Sequence, residues 1–132
     1  MVEVRARVGD SIDLLEFVMG DGTVANGGHP SSGGKAAPAL SLDVDEHIVQ
    51  MEVGQGSALD RVSLVTSKGR KADWRGASGG GGASPQTYVT SADDPIVGFE
   101  RGGGGPCPVI TGVMRLSDSG AAARAARVPA AP

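Results

Sequence analysis

The sequence repeats itself with a period of about 47 residues. A shift of 47 positions places Gly9 on Gly56, Ile12 on Leu59, Asp13 on Asp60, Phe17 on Leu64, Gly22 on Gly69, Gly33 and Gly34 on Gly80 and Gly81, and Pro38 on Pro85. A shift of 48 finds a weaker third copy, in which Val97 falls on Val49 and Pro108 stands where Asp60 would be. A fixed period of this length is typical of a repeated supersecondary unit. The chain should therefore be built from similar pieces.

Each piece has the pattern of short strands. Apolar and polar residues alternate at 2–8 and again at 12–19, which is the period of a half-buried strand. Turn residues separate the runs, as in Gly20-Asp21-Gly22. The same criteria predict extended segments at 23–26, 39–42, 48–53, 59–66, 86–90, 96–99 and 109–116. No helical period occurs before residue 120, so the predicted class is all-β. Residues 2–118 are predicted to form the domain, and 119–132, rich in Ala and Pro, a disordered tail.

Glycine is unusually frequent, with 22 in 132 residues against a usual share of about 7%. Because the glycines recur at the same points of successive units, they should serve turns or close backbone approaches. Aromatic residues make up only 3% of the chain, so the core should consist mainly of Val, Leu, Ile and Ala. Trp74 is expected to pack beneath a loop.

Charge and cysteine content exclude several classes of function. A net charge of −3 gives no reason to expect nucleic-acid binding, and the basic run of residues 68–71 reads as a solvated turn. A single cysteine, Cys107, excludes an intrachain disulfide framework and a cysteine-based zinc site. No apolar stretch is long enough to span a membrane. The first residues lack a signal peptide's apolar core, so we expect a soluble, cytoplasmic chain unless it was cut from a longer precursor.

Two features recur together in the first two units. An Asp follows a turn glycine by four residues, and a glycine-rich loop comes about 20 residues later. A carboxylate presents acceptor oxygens, and a glycine loop presents main-chain N–H donors that no side chain obstructs. Acceptors opposite donors, without a set of metal ligands, suit a neutral polyol such as a sugar.

These motifs resemble those of the jacalin-related lectins. Gly56–Asp60 resembles the family's Gly-x-x-x-Asp, Thr66–Arg70 its Thr-x-x-Gly-Arg turn, and Gly76–Gly80 its glycine loop. Glu46–Val49 and Val97–Gly102 resemble two further family segments, and the match covers residues 2–116. The resemblance implies a β-prism of three Greek-key sheets around a pseudo-threefold axis.

The resemblance also implies sugar binding without metal or cofactor and without catalysis. In the family, the Asp, neighbouring main-chain N–H groups and a loop glycine form each site. Carried over, the carbohydrate-binding residues are Ser11, Ile12, Asp13, Gly33 and Gly34 in the first unit, and Ala58, Leu59, Asp60, Gly80 and Gly81 in the second. Mannose-type or glucose-type hexoses are the expected ligands, either as mono- or oligosaccharides or on glycoproteins, and assembly into a homo-oligomer is left open as a further interaction.

This sequence departs from the family pattern in three respects. Pro108 replaces the Asp of the third copy, so that site should be lost. The family's first strand has no counterpart, which should leave one sheet short with an exposed edge. No aromatic residue stands beside Asp13 or Asp60 to stack on a sugar. These departures favour an alternative function, in which a degenerate β-prism domain serves protein–protein interaction or assembly.

Plainer interpretations apply to several motifs. Asp13 and Asp60 could be turn aspartates that accept main-chain N–H bonds. Gly76-Ala77-Ser78-Gly79-Gly80 spells the Gly-x-Ser-x-Gly of a nucleophile elbow, but such an elbow requires a following helix and a later His. His29 and His47 both precede it, and neither has metal ligands at suitable spacing.

Overall fold

A computed structural model describes residues 2–9, 12–20, 22, 24–25, 34–55, 59–76, 85–102 and 109–118. Within these ranges the regular secondary structure is entirely β-strand, which agrees with the predicted class. The same ranges hold no helix of the length and hydropathy needed to cross a membrane.

The strands form two hydrogen-bonded antiparallel sheets. They are β1 Glu3–Val8, β2 Ile12–Val18, β3 Val24–Ala25, β4 Lys35–Ala36, β5 Leu40–Ser41, β6 Ile48–Gln55, β7 Leu59–Thr66, β8 Lys71–Arg75, β9 Gln86–Val89, β10 Ile96–Gly102 and β11 Val109–Arg115. The first sheet has the order β3-β2-β1-β4, with β5 also paired to β1. The second has the order β11-β10-β6-β7-β8, with β9 paired to β6. We refer to β1–β5, β6–β9 and β10–β11 as the first, second and third units.

The first two units repeat each other in detail. In both, a central hairpin is flanked on one side by the next strand and on the other by a returning strand. The hairpin turns end on glycines with positive φ, 90° at Gly22 and 80° at Gly69. The N–H of Gly22 donates to the Met19 carbonyl at 3.0 Å, and the N–H of Gly69 donates to the Thr66 carbonyl at 2.9 Å. The structure thus confirms the 47-residue period.

Gly69→Ala is expected to lower the free energy of unfolding by about 1 kcal/mol, because an L-residue is disfavoured at positive φ. A Cβ at this position meets no heavy atom within 4 Å, so the cost comes from the backbone alone. Gly112→Ala is the matched control, since its Cβ would make only ordinary contacts, the nearest at 3.8 Å to Glu100. Urea unfolding of the two variants measures the difference. Equal stabilities would contradict the role given to Gly69.

The third unit is shorter within the described residues, where it supplies two strands. A single residue pair, Ile96 opposite Ile48, joins β10 to β6. The pairing register skips Val97 in β10 and Val49 in β6, so both strands bulge at equivalent points of the repeat. This agreement supports the shift of 48 residues that relates the second and third units.

The core lies between the units and receives side chains from all three. Its buried members are Val4, Ala6, Ile12, Leu15, Phe17, Met19, Leu40, Ile48, Met51, Val53, Leu59, Val62, Leu64, Trp74, Ile96, Val97, Phe99 and Ile110. The rings of Phe17 and Phe99 meet edge to face, with centroids 5.3 Å apart. Trp74 is 5% exposed and its indole N–H donates to the Pro38 carbonyl at 3.0 Å. Trp74 therefore packs against the first unit.

Two local expectations were wrong. The basic run 68–71 was expected to be a turn, but its last residue belongs to strand β8, Lys71–Arg75. In β8, Ala72 and Trp74 pack on the core, while Lys71, Asp73 and Arg75 alternate with them and are exposed. Because only two apolar residues mark the inward face, the alternation typical of a strand was not recognised in the sequence. Strand β6 continues through Gln55, two residues beyond the end predicted for the segment 48–53. The predicted tail at 119–132 and Cys107 lie outside the described residues.

Candidate functional site

Asp60 occupies a β-bulge at the start of β7. The pairing register runs from Gly54 opposite Arg61 directly to Gln55 opposite Leu59, which leaves Asp60 as the extra residue. A bulge bends the strand locally and gives the inserted residue a direction that regular pairing would not allow. Asp60 is half-buried, and no hydrogen bond or ion pair joins its carboxylate to another described residue.

Asp13 occupies the same position in the first unit. Arg7 pairs with Leu14 and Val8 pairs with Ile12, so Asp13 is again the extra residue of a bulge. Bulges at equivalent points of two units are features of the repeat rather than accidents of one hairpin. In the third unit β11 skips Thr111, three residues beyond Pro108, the counterpart of Asp60, which lies outside the described residues.

Each bulge lies beside one end of a glycine segment. In the second unit the N–H of Gly76 donates to the Asp60 carbonyl at 2.8 Å, just before the chain enters 77–84. In the first unit a guanidinium N–H of Arg7 donates to the Gly34 carbonyl at 2.9 Å. Lys35, the next residue, lies opposite Val8, which is also the partner of Ile12. The described end of each glycine segment thus reaches the strand end that holds the Asp.

The other sequence-predicted site residues divide into two groups. Leu59 and Ile12 are 4% and 2% exposed, so their side chains belong to the core and only their main chains could contact a ligand. Ser11, Gly33, Ala58, Gly80 and Gly81 lie outside the described residues. Of Asp13, the structure describes only the backbone.

A network of charged side chains that the sequence reasoning missed begins one residue after Asp60. Arg61 contacts Glu52 at 3.2 Å and Asp73 at 3.1 Å. The hydroxyl of Ser63 donates to Asp73 at 2.7 Å, and Arg75 donates to it at 3.0 Å. Burial alone would raise the pKa of Asp73, but the hydrogen bonds from Ser63, Arg61 and Arg75 outweigh it and hold that pKa below its usual value. The available signal was the alternation of polar residues along β7 and β8.

The Thr-x-x-Gly-Arg motif serves the fold. Arg70 donates to both carboxylate oxygens of Glu46, whose side chain is fully buried. The Thr66 hydroxyl and the Asp43 N–H complete the partners of Glu46. Hydrogen bonds from Arg70, and then from Thr66 and Asp43, lower the Glu46 pKa to about 2 in spite of burial. This cluster clamps the β7–β8 turn to the segment before β6, so the motif is explained without a ligand.

A simpler clamp occurs 48 residues later. The N–H and the hydroxyl of Ser117 both donate to Asp94 at 2.8 Å, and Asp94 is the counterpart of Glu46 in the third unit.

Across the described ranges, no three His, Cys, Asp or Glu side chains are grouped so that they could hold a metal ion.

Several solved structures with the same fold are lectins. A mannose-binding lectin from champedak superimposes with a TM-score of 0.67 at 18% identity, over 87% of this chain and 81% of the other. Artocarpin complexed with methyl-α-mannose gives 0.66 at 17% identity, over 87% and 82%. A mannose-binding jacalin-related lectin from Ananas comosus gives 0.58 at 20% identity, over 85% and 78%.

At the level of sequence the chain is distant from known proteins. No family model matches it, and no curated protein matches it either. The likeness therefore concerns the fold, and it agrees with the paired bulges, turn glycines and repeated sheets described above. The chain has the β-prism fold of the jacalin-related lectins.

Proposed function

We propose that the protein binds carbohydrate without metal or catalysis, at a site formed by Asp60 and the glycine segment that begins at Gly76. An equivalent site is formed by Asp13 and the segment that ends at Gly34. The ligand is a neutral hexose of the mannose or glucose type, free or at the end of a glycoprotein glycan.

One observation carries the proposal, namely that each of the two units has an aspartate as the extra residue of a bulge beside a glycine segment. The Asp60 carboxylate has no partner among the described residues, unlike the carboxylates of Asp73 and Glu46, which are fully engaged. A turn aspartate would use its oxygens on nearby main-chain N–H groups. A half-buried carboxylate without such bonds is instead able to accept the hydroxyl hydrogens of a sugar.

The sugar class is supported by the fold neighbours. The titles of the champedak and Ananas comosus proteins describe them as mannose binding, and artocarpin was solved with methyl-α-mannose. The missing aromatic contact at Leu59 and Ile12 predicts weak binding at each single site, with a dissociation constant on the order of 1 mM. Two sites on one chain, or a homo-oligomer, would then raise the avidity for glycoproteins that present several glycans.

Asp60→Asn is expected to weaken binding of methyl α-mannoside at the second site about tenfold or more, because hydrogen bonds to a charged acceptor contribute roughly 1.5–3 kcal/mol each. Two-dimensional NMR titration with the mannoside, methyl α-glucoside and methyl α-galactoside separates this site from the one at Asp13. Asp13→Asn should weaken binding at the first site alone. The double variant should bind at least tenfold more weakly at both sites.

Asp93→Asn is the matched control, since it makes the same chemical change on an exposed turn. It should titrate like the wild type. If no amide near Asp60 shifts at high millimolar sugar in the wild type, carbohydrate binding is refuted and the assembly alternative takes its place. Light scattering would then measure the oligomeric state.

A further inference from the structure

A polar groove runs along the outer face of the second unit. It has a volume of about 250 Å³ and is lined by side chains from β6, β7 and β8, among them Gln50, Glu52, Arg61, Ser63, Lys71 and Asp73. None of these residues belongs to the sites assigned above. Arg61 forms ion pairs with Glu52 and Asp73, and Ser63 donates a hydrogen bond to Asp73. These contacts fix the positions of the side chains at the end of the groove nearest Asp60. A groove fixed in advance costs a ligand little ordering.

The charges of the groove favour a neutral ligand. Glu52 and Asp73 are balanced by Arg61 and Lys71, so neither an anion nor a cation gains from the net field. The side chains of Gln50 and Lys71 make no hydrogen bond or ion pair with another described residue. Their amide and ammonium groups offer donors and an acceptor to hydroxyl groups, each of which both donates and accepts. The half-buried side chain of Val65 adds an apolar surface for the C–H face of a sugar ring.

One end of the groove lies next to Asp60 along β7. Arg61, which lines the groove, directly follows Asp60 in the sequence. Arg75 lies opposite Arg61 in β8 and directly precedes Gly76. From Arg61 to Val65 the strand rises by about 13 Å, which is longer than a single hexose ring. A chain of sugars whose end ring lies at Asp60 would therefore meet the groove with its next rings.

We propose that this groove is an oligosaccharide subsite, which binds the rings that follow the terminal hexose of a neutral glycan. The inference rests on the proposed function and deepens it by naming the ligand as an oligosaccharide. According to this proposal, contacts with Gln50, Ser63 and Lys71 on the outer face of the second unit determine which glycan lengths and linkages bind tightly.

The test compares a monosaccharide with an oligosaccharide at one site. In an Asp13→Asn background, calorimetric titration measures methyl α-mannoside against a linear α-linked mannotetraose, and methyl α-glucoside against maltotetraose. One of the tetrasaccharides should bind about tenfold more tightly than its monosaccharide. Four rings that could each occupy the Asp60 site would by themselves raise the affinity at most about fourfold, so a tenfold gain requires further contacts. Ser63→Trp, which fills the groove, should bring the ratio close to one and leave monosaccharide binding unchanged.

Glu16→Trp is the matched control, since Glu16 lies opposite Arg5 in the first unit as Ser63 lies opposite Glu52 in the second. It should leave the ratio unchanged. The milder pair Gln50→Ala and Lys71→Ala should lower the ratio about threefold if the Trp variant fails to fold. Monosaccharide binding with no gain for either tetrasaccharide, or a gain that survives these substitutions, would overturn the subsite and leave the proposed function intact. Absence of monosaccharide binding would overturn both.

Discussion

Phe17→Ala is expected to lower the free energy of unfolding by about 4 kcal/mol. Phe17 is fully buried, and its ring meets Phe99 edge to face, so the substitution removes contacts between the first and third units and leaves a cavity. Loss of a buried Phe typically costs about 3–5 kcal/mol through the transfer and cavity contributions together. Chemical denaturation monitored by the fluorescence of Trp74 measures the loss, because this is the only tryptophan of the chain.

Two variants place this result in context. Val89→Ala removes an apolar side chain that is 65% exposed and should change stability by less than about 0.5 kcal/mol. Phe17→Leu, combined with Phe99→Leu in a double-mutant cycle, should show a coupling of about 1 kcal/mol between the rings. A loss below about 1 kcal/mol for Phe17→Ala would contradict the placement of this ring between the units.

The repeat is what made the fold predictable from the sequence. With Gly22 and Gly69 in register, the strands predicted at 2–8 and 12–19 correspond to those at 48–53 and 59–66, and the turn after each pair needs a residue that tolerates positive φ. Strands that pack one face on the core, such as β1, β2 and β7, also show the period of two. Both signals are local or nearly local along the chain, which is why the sequence displays them.

Contacts across long separations were harder to predict. Nothing local in the sequence shows that Arg70 and Thr66 lie beside Glu46. Strand β8 was missed because charged residues alternate with Ala72 and Trp74, and the charges dominated the local composition. The predicted segment 48–53 stopped short of Gln55, whose side-chain amide bonds to both the N–H and the carbonyl of Ile110, at 2.8 and 2.7 Å.

The candidate site was predicted in part. The repeated spacing of an Asp and a glycine-rich loop about 20 residues later indicated that the two belong together, which stays a prediction for Gly80 and Gly81, and the structure adds the main-chain bond from Gly76 to Asp60. The bulge itself could not be predicted, because it depends on how β6 and β7 are paired rather than on the residue types of β7. The groove beside it escaped for the same reason, since its lining comes from three strands.

The Glu46 carboxylate is expected to make the stability of the protein depend on pH below about 4.5. Its pKa falls from 4.5 to about 2 on folding, mainly through the two bonds from Arg70. A carboxyl whose folded pKa is lowered stabilises the fold fully above its unfolded pKa, and this contribution is lost as the pH falls through the folded pKa. The size of the change corresponds to roughly 3 kcal/mol at neutral pH.

Glu46→Gln isolates this contribution from that of other carboxylates. The variant keeps the shape of the side chain but cannot ionise, so it should be less stable than the wild type by about 3 kcal/mol at pH 7. The difference should shrink as the pH is lowered from 4.5 towards 2, because the wild type then protonates Glu46 as well. Urea unfolding at a series of pH values measures both curves, and Glu100→Gln, at an exposed position, should run parallel to the wild type. Curves for Glu46→Gln and the wild type that stay equally far apart down to pH 2 would show that the Arg70 pair does not favour the charged form, and that the clamp on the β7–β8 turn depends on packing instead.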